Sequence, residues 1–433
     1  MEKIIENGEL RMENENNYQF STVNSQLNIP QIRFPEFKDV WREKKLGDFL
    51  TLSLNPVPKP KDNYLSIGIR SHFKGTFQKP NTDPNKNAMD TLYSVKENDL
   101  LVNITFAWEG AIAIVTKEDE GGLVSHRFPT YDFDKEKVTH IFFKYLFFRS
   151  KFKHELGIIS PGGAGRNRVL NKSDFLKLKC LFPTLPEQKR IAHFFTVLDN
   201  KINQLKEKKA LLEEYKKGMM QKIFSQEIRF KDENGNDYPD WEEKRLGEIG
   251  EFKNGINKSS KDFGFGYPFI NLMDVFGKPT ISKQKFGLVN ANENELKQYE
   301  IKKGDVFFIR SSVKKEGVGE TTLILNDLKN TVYSGFLIRF RDNKLKLDLN
   351  YKKYCFSNRK FREDLISLST TSANTNINQE SLNVLNIHLP SIPEQAKIAN
   401  FLSKIDDKIN TVNEQIEETK EYKKGLLQRM YCV

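Results

Sequence analysis

Cysteine and histidine are scarce in this chain, and each scarcity closes off a class of chemistry. The three cysteines, Cys180, Cys355 and Cys432, lie far apart with no CxxC pair. That excludes a cysteine-based zinc site and fits a reducing compartment. The six histidines (His72, His126, His140, His154, His193 and His388) are scattered without metal-ligand spacing. No apolar run approaches the roughly 18 residues that a membrane helix needs. The opening MEKIIENGELRMENENN is acidic and Asn-rich, unlike a signal peptide. A cytoplasmic protein with no membrane contact is expected.

Catalytic motifs are equally sparse. There is no GxxxxGK[ST] loop to cradle a nucleotide. An Asn/Asp-Pro-Pro-aromatic turn, which would hold a flipped base for amino-methylation, is missing; Asn55-Pro56-Val57-Pro58 comes nearest. The carboxylates of PDWEEK, around Lys244, are too close together to chelate a metal from two strands. FGFGYP, containing Gly264, follows no strand–helix pattern and reads as a loop. A chain that is no catalyst, with no metal and no cofactor of its own, is expected.

What the chain does have is length, aromatics and positive charge. Its 433 residues suggest two to four domains, and 12% aromatics, including 33 Phe, exclude a disordered protein. The net charge of +11 is compatible with nucleic acid without requiring it. Residues 34–185 carry +6 and 229–392 carry +4, so the excess falls on two segments of similar size.

Those segments belong to an internal repeat. Pro186–Phe224 aligns with Pro393–Tyr431 at a constant offset of 207, without gaps, and 17 of 39 positions are identical. WREKKLGDFL from Trp41 likewise matches WEEKRLGEIG from Trp241. Between them VKENDLLVNIT faces IKKGDVFFIRS, and KYLFFRSKFKHEL faces KYCFSNRKFREDL. The chain is a globular module and a long helix, twice over. The expected boundaries are a disordered tail at 1–28, a module at 29–185, a helix at 186–228, a second module at 229–392 with its linker at 229–240, and a second helix at 393–433.

Each helix starts just after a Pro, with Glu in its first turn, as helix starts prefer. Ile191, Phe195, Leu198, Ile202, Leu205 and Leu212 follow the four–three spacing of a coiled-coil seam, interrupted further on by Lys209 and Lys216. In the second helix the seam is Ile398, Leu402, Ile405, Ile409, Val412 and Ile416, with Thr419 and Lys423 in its gaps. So narrow a stripe calls for another helix, and the other copy is the nearest candidate. The modules read as mixed α/β, with strands such as DLLVNIT, DVFFIR and TVYSGFLIRF. HIFFKYLFFRSKFKHEL and LNYKKYCFSNRKFREDL read as one amphipathic helix each.

Polar, basic loops between strands are what groove reading requires, since cations hold phosphates while amides and guanidiniums address base edges. The first module offers Arg166, Asn167 and Arg168 in SPGGAGRNRVLN, and the second Thr371, Ser372, Asn374 and Asn376 in STTSANTNINQ. Further candidates are Arg70, Ser71, His72 and Lys74, opposite Asn271, and Asn103 and Thr105, opposite Arg310, Ser311, Ser312 and Lys314. The alternative is a coiled-coil scaffold whose modules bind proteins.

The repeated helix openings LPEQKRIAHFFTVLDNKI and SIPEQAKIANFLSKIDDKI, the Trp41…Leu46-Gly47 and Trp241…Leu246-Gly247 starts, and the module–helix–module–helix order resemble a specificity subunit of a type I restriction–modification system (HsdS family) over roughly 33–433. The resemblance implies two target recognition domains, each reading half of a bipartite site in double-stranded DNA. It also implies that the two helices pack antiparallel as a spacer. Two modification (methyltransferase) subunits that bind S-adenosylmethionine, and restriction subunits using ATP and Mg, would be the partners. Recognition domains of the family differ widely, so no base-reading residue follows from the resemblance.

Overall fold

The strand runs that read as continuously apolar are so because each of their faces meets a different core. In the computed structural model, which describes residues 28–162, 168–282, 285–371 and 373–431, the chain forms two units. The first comprises Met1–Lys206 and Glu414–Val433, and the second Glu207–Asn413. Short strands are also assigned at Ile5–Glu6, Glu9–Leu10 and Ser21–Thr22; the disorder expected for the rest of the tail lies outside the described residues.

In the first unit, strand Leu100–Val102 lies between antiparallel Ile112–Ile114 and Thr130–Phe133. Leu100 and Val102 join a core with Phe142 and Phe143 from helix His140–Leu146. Leu101 points the other way, into a cluster with Ile67, Ala113 and Val124, as the two-residue period of a strand dictates. The second unit repeats this at strand Val306–Ile309, between Thr321–Ile324 and Leu337–Arg341. Val306 and Phe308 face the core that contains the helical Phe361 and Leu365, while Phe307 and Ile309 face Ile270 and Tyr333. The sheets have five and four strands in the first unit, and five, three and three in the second, besides two-stranded ones. The class is mixed α/β.

Each unit closes by pairing a strand near its start with the strand that precedes a long helix: Arg42–Lys45 with Lys179–Phe182, and Glu242–Arg245 with Asn386–Leu389. The Leu-Gly pair that follows the earlier strand opens a short helical turn, and packing explains it. Leu46 and Leu246 are fully buried, and a Cβ on Gly247 would meet Asn383 at 2.7 Å.

Two local expectations are corrected. The amphipathic helix expected after each sheet is two helices. His140–Leu146 is followed by Ser150–Ile158, and Lys352–Cys355 by Arg359–Ser367, whose start is capped by the Asn358 side chain. FGFGYP is a strand, Phe263–Ile270, and not a loop. Gly264 and Gly266 sit at φ 98° and 92°, which lets both Phe263 and Tyr267 pair with Val289 across a bulge.

The long helices are Leu185–Phe224 and Ile392–Met430. Their first turns are buried more widely than a seam: Ile191, Ala192, Phe194, Phe195 and Leu198 all enter the first unit's core, along with Leu426, Met430 and Tyr431 from the end of the second helix. In the second unit Ile223 meets Ile398, Ala399, Leu402 and Ile405. Ile202, Leu205, Val412 and Ile416 are buried, and Leu212 and Ile409 half-buried. Within each unit the start of one helix therefore lies beside the end of the other, which is an antiparallel pairing.

Candidate nucleic-acid interface

The Pro-Glu-Gln motif that opens each long helix locks the helix to its module. Glu187, fully buried, receives Arg33 Nε and Nη2 at 2.7 Å each, and Trp41 Nε1 at 3.3 Å. Glu394 receives Arg229 Nε at 3.2 Å, Arg229 Nη2 at 2.9 Å and Trp241 Nε1 at 3.1 Å. Such two-pronged pairing offsets the cost of burying both charges. The adjacent Gln188 accepts from Thr139 N and donates to the Lys137 and Pro183 carbonyls. Gln395 does the same with Asp348, Lys346 and Pro390.

The lysines that interrupt the seams are also paired. Lys423 reaches Asp199, which accepts from Tyr145 Oη at 2.8 Å; Lys216 reaches Asp406, which accepts from Tyr354 Oη at 2.8 Å. Burial raises the Asp406 carboxyl, but hydrogen bonds from Lys216, Lys353 and Tyr354 outweigh it and hold it below its ordinary value. Lys209 donates to Asn413 Oδ1 at 2.7 Å.

With the helices fixed, the loops at one end of each sheet come together. In the first unit Arg70, Ser71, His72 and Lys74 form the turn between strands Tyr64–Ile69 and Thr76–Thr82. His72 and Phe73 have φ of 63° and 56° and donate their N–H groups to the Glu109 and Gly110 carbonyls at 2.8 Å. Ser71 Oγ donates to Glu109 Oε2. The Arg70 guanidinium is drawn onto the Thr76 carbonyl and the Phe77 ring. Asn103 is buried and its Oδ1 accepts from Thr105 N, shaping the turn that carries Thr105. Arg168 lies over the Trp108 ring and donates to the Gly157 and Ser160 carbonyls at 2.7 and 3.0 Å, capping helix Ser150–Ile158. Arg166 and Asn167 lie outside the described residues.

In the second unit Ser311–Ser312 pairs with Thr375–Asn376, which pairs in turn with Thr370–Thr371. The two candidate loops thus form one small sheet, bearing exposed Lys314, Thr371 and Asn374 at its ends. Arg310 N donates to the Phe336 carbonyl, and the Arg310 carbonyl accepts from Ile377 N at 2.9 Å. Asn271 caps the short helix Leu272–Val275. Ser372 lies outside the described residues.

The sequence reading missed one turn in each cluster, Ser125–Phe128 and Ser334–Phe336. His126, Arg127 and Phe336 are exposed there. The signal available was the alignment of VSHRF with YSGFL, the second of them inside the strand-like run TVYSGFLIRF.

A buried charge also separates the two units. Asp305 is paired with Arg341 through two bonds of 2.7 Å. At the corresponding places of the first unit stand Asp99 and Asp132. Burial first, then the hydrogen bond and charge of Asp132, push the Asp99 carboxyl up to about 7. Among the described residues no group of three or more His, Cys, Asp or Glu could hold a metal, and no helix is long and apolar enough to cross a membrane.

A family model described as the type I restriction modification DNA specificity domain matches twice, at residues 38–214 and 238–421. The chain is 24% identical over 407 residues to the type I restriction enzyme MjaVIII specificity subunit of Methanocaldococcus jannaschii, with 92% of each covered. A solved chain from work on complex assembly and conformational transition of the type I R-M system aligns with a TM-score of 0.57 at 18% identity, covering 90% of this chain and 97% of that one. The type I restriction-modification S subunit from M. genitalium aligns with a TM-score of 0.52 at 14% identity, covering 93% and 99%.

Proposed function

Since the chain belongs to the type I restriction modification DNA specificity family, with two copies of its domain, we propose that each unit reads one half of a bipartite site in double-stranded DNA. The observation that carries this is the recurrence of one loop cluster in both units, on the same backbone frame but with different side chains. A shared frame with unlike loops is what two readers of unlike half-sites require. The site residues are those of the clusters: His72, Lys74, Thr105 and the 125–128 turn in the first unit, to which the sequence adds Arg166 and Asn167 from outside the described residues. In the second they are Arg310, Ser311, Ser312, Lys314, Thr371, Asn374 and Asn376. Arg70, Asn103 and Arg168 shape their loops from within.

The long helix of 40 residues gives roughly 60 Å of ruler at 1.5 Å per residue. Two modest binders on one rod act as a single tight one through effective concentration. The chain is a non-catalytic specificity subunit that works with methyltransferase and restriction partners. Two modification subunits carrying S-adenosylmethionine, one per unit, and restriction subunits using ATP and Mg complete the assembly in the cytoplasm. The test is binding of cognate duplex by the chain with its modification subunit, over a salt series. Affinity should fall steeply as salt rises, because phosphate contacts release counterions; salt-independent binding, or none, would contradict the reading.

A further inference from the structure

The two missed turns are the same turn. Arg127 N donates to Ser125 Oγ at 3.3 Å, and Phe336 N donates to Ser334 Oγ at 3.3 Å. The Arg127 carbonyl accepts from Ile104 N at 3.0 Å, and the Phe336 carbonyl from Arg310 N at 2.8 Å. Ile104 and Arg310 each follow the central strand of their unit. The carbonyl of each accepts in turn from the strand-like segment after the candidate loop, Leu170 N at 2.7 Å and Ile377 N at 2.9 Å. Arg127 and Phe336 therefore occupy equivalent positions, held by identical main-chain bonds, and both are exposed, Phe336 by 56%.

Their side chains could hardly differ more. Among the described residues, no hydrogen bond, ion pair or ring contact engages the Arg127 guanidinium, whereas Arg70 and Arg168 beside it spend theirs on carbonyls and rings. A guanidinium on a main chain held by these bonds is suited to the paired N7 and O6 acceptors of guanine. A phenyl ring offers no donor and suits the apolar C5-methyl edge of thymine.

We propose that this turn is a specificity-determining position in both units, Arg127 reading a guanine in one half-site and Phe336 a thymine methyl in the other. The proposal rests on the bipartite-reader function given above. The test uses the full chain assembled with its modification subunits, with the methylated motif read at base resolution. Arg127→Ala should admit any base at one guanine of one half-site while the other half stays intact, which also reports folding. Phe336→Ala should relax only the other half, at a thymine. Wild-type affinity should drop roughly 10- to 150-fold when that guanine carries carbon in place of N7, the range for one lost hydrogen bond to a charged group, and Arg127→Ala should be indifferent to the change. If Arg127→Ala keeps every guanine, or loses affinity equally on all sequences as a phosphate contact would, the proposal falls while the reader function stands. A wild-type complex that shows no bipartite motif overturns the reader function itself.

Discussion

Lys423 of the second long helix pairs with Asp199 of the first at 2.5 Å. The relation is repeated with the helices exchanged, Lys216 of the first pairing with Asp406 of the second at 2.5 Å. In each case the ammonium also lies over the ring of the tyrosine that donates to the same carboxylate, Tyr145 at 5.0 Å and Tyr354 at 5.3 Å. The lysines that break the apolar seams thus tie helix, helix and module together at one point per unit.

Replacing Asp406 with Ala should cost about 3 kcal/mol, because Lys216 and Lys353 would remain largely buried without a counter-charge. The Asp406 carboxyl lies below its ordinary value in the folded chain, so its contribution is present above the unfolded value and lost as pH falls through the folded one. Urea unfolding of wild type and variant should therefore diverge at pH 7 and converge under acid.

The locks at the helix starts should differ in strength. Glu187→Gln leaves Arg33, 3% exposed, without its carboxylate, while Glu394→Gln leaves Arg229, 22% exposed, nearer to water. A loss of about 3–5 kcal/mol is expected for the first and less for the second. Thermal unfolding of the two variants decides the order.

These locks show where sequence reading stopped. The duplication, the long helices and the central strands were legible because each is a local pattern or a direct repeat. The partners of Glu187 and Glu394 were not, since Arg33 and Arg229 stand 154 and 165 residues away. Glu187 read as a helix-dipole residue when its main partner is a buried arginine. Among the loop candidates, Arg168 had the right chemistry for a base, but nothing in the sequence indicated that Gly157 and Trp108 engage it. Phe336 was hidden because its turn interrupts what reads as one long strand, TVYSGFLIRF.

Asp99 gives the first unit a pH dependence, where the second unit pairs the corresponding Asp305 with Arg341. An acid raised from 3.8 to about 7 favours the folded state below the unfolded value and loses that advantage as pH rises through the folded one. The first unit should weaken between about pH 4 and pH 7, by on the order of 4 kcal/mol. Asp99→Asn should remove that slope, and Asp132→Arg should reverse it by restoring the pair seen in the second unit; chemical unfolding across this range is the measurement.

Ruler and readers should also separate. A heptad inserted in each long helix, after Lys206 and after Asn413, keeps the four–three spacing and adds about 10 Å. The unread gap should grow by about three base pairs at 3.4 Å each, with both half-sites unchanged in the methylated motif. A changed half-site would show that the units do not read independently.

Two readers on one ruler should leave their mark in the methylated bases of DNA from cells that express this chain with its modification subunits, mapped across the genome. The prediction is a split motif, two short defined halves around a fixed run of unread bases, lost when the chain is omitted. A continuous motif, or methylation that does not depend on the chain, would contradict it.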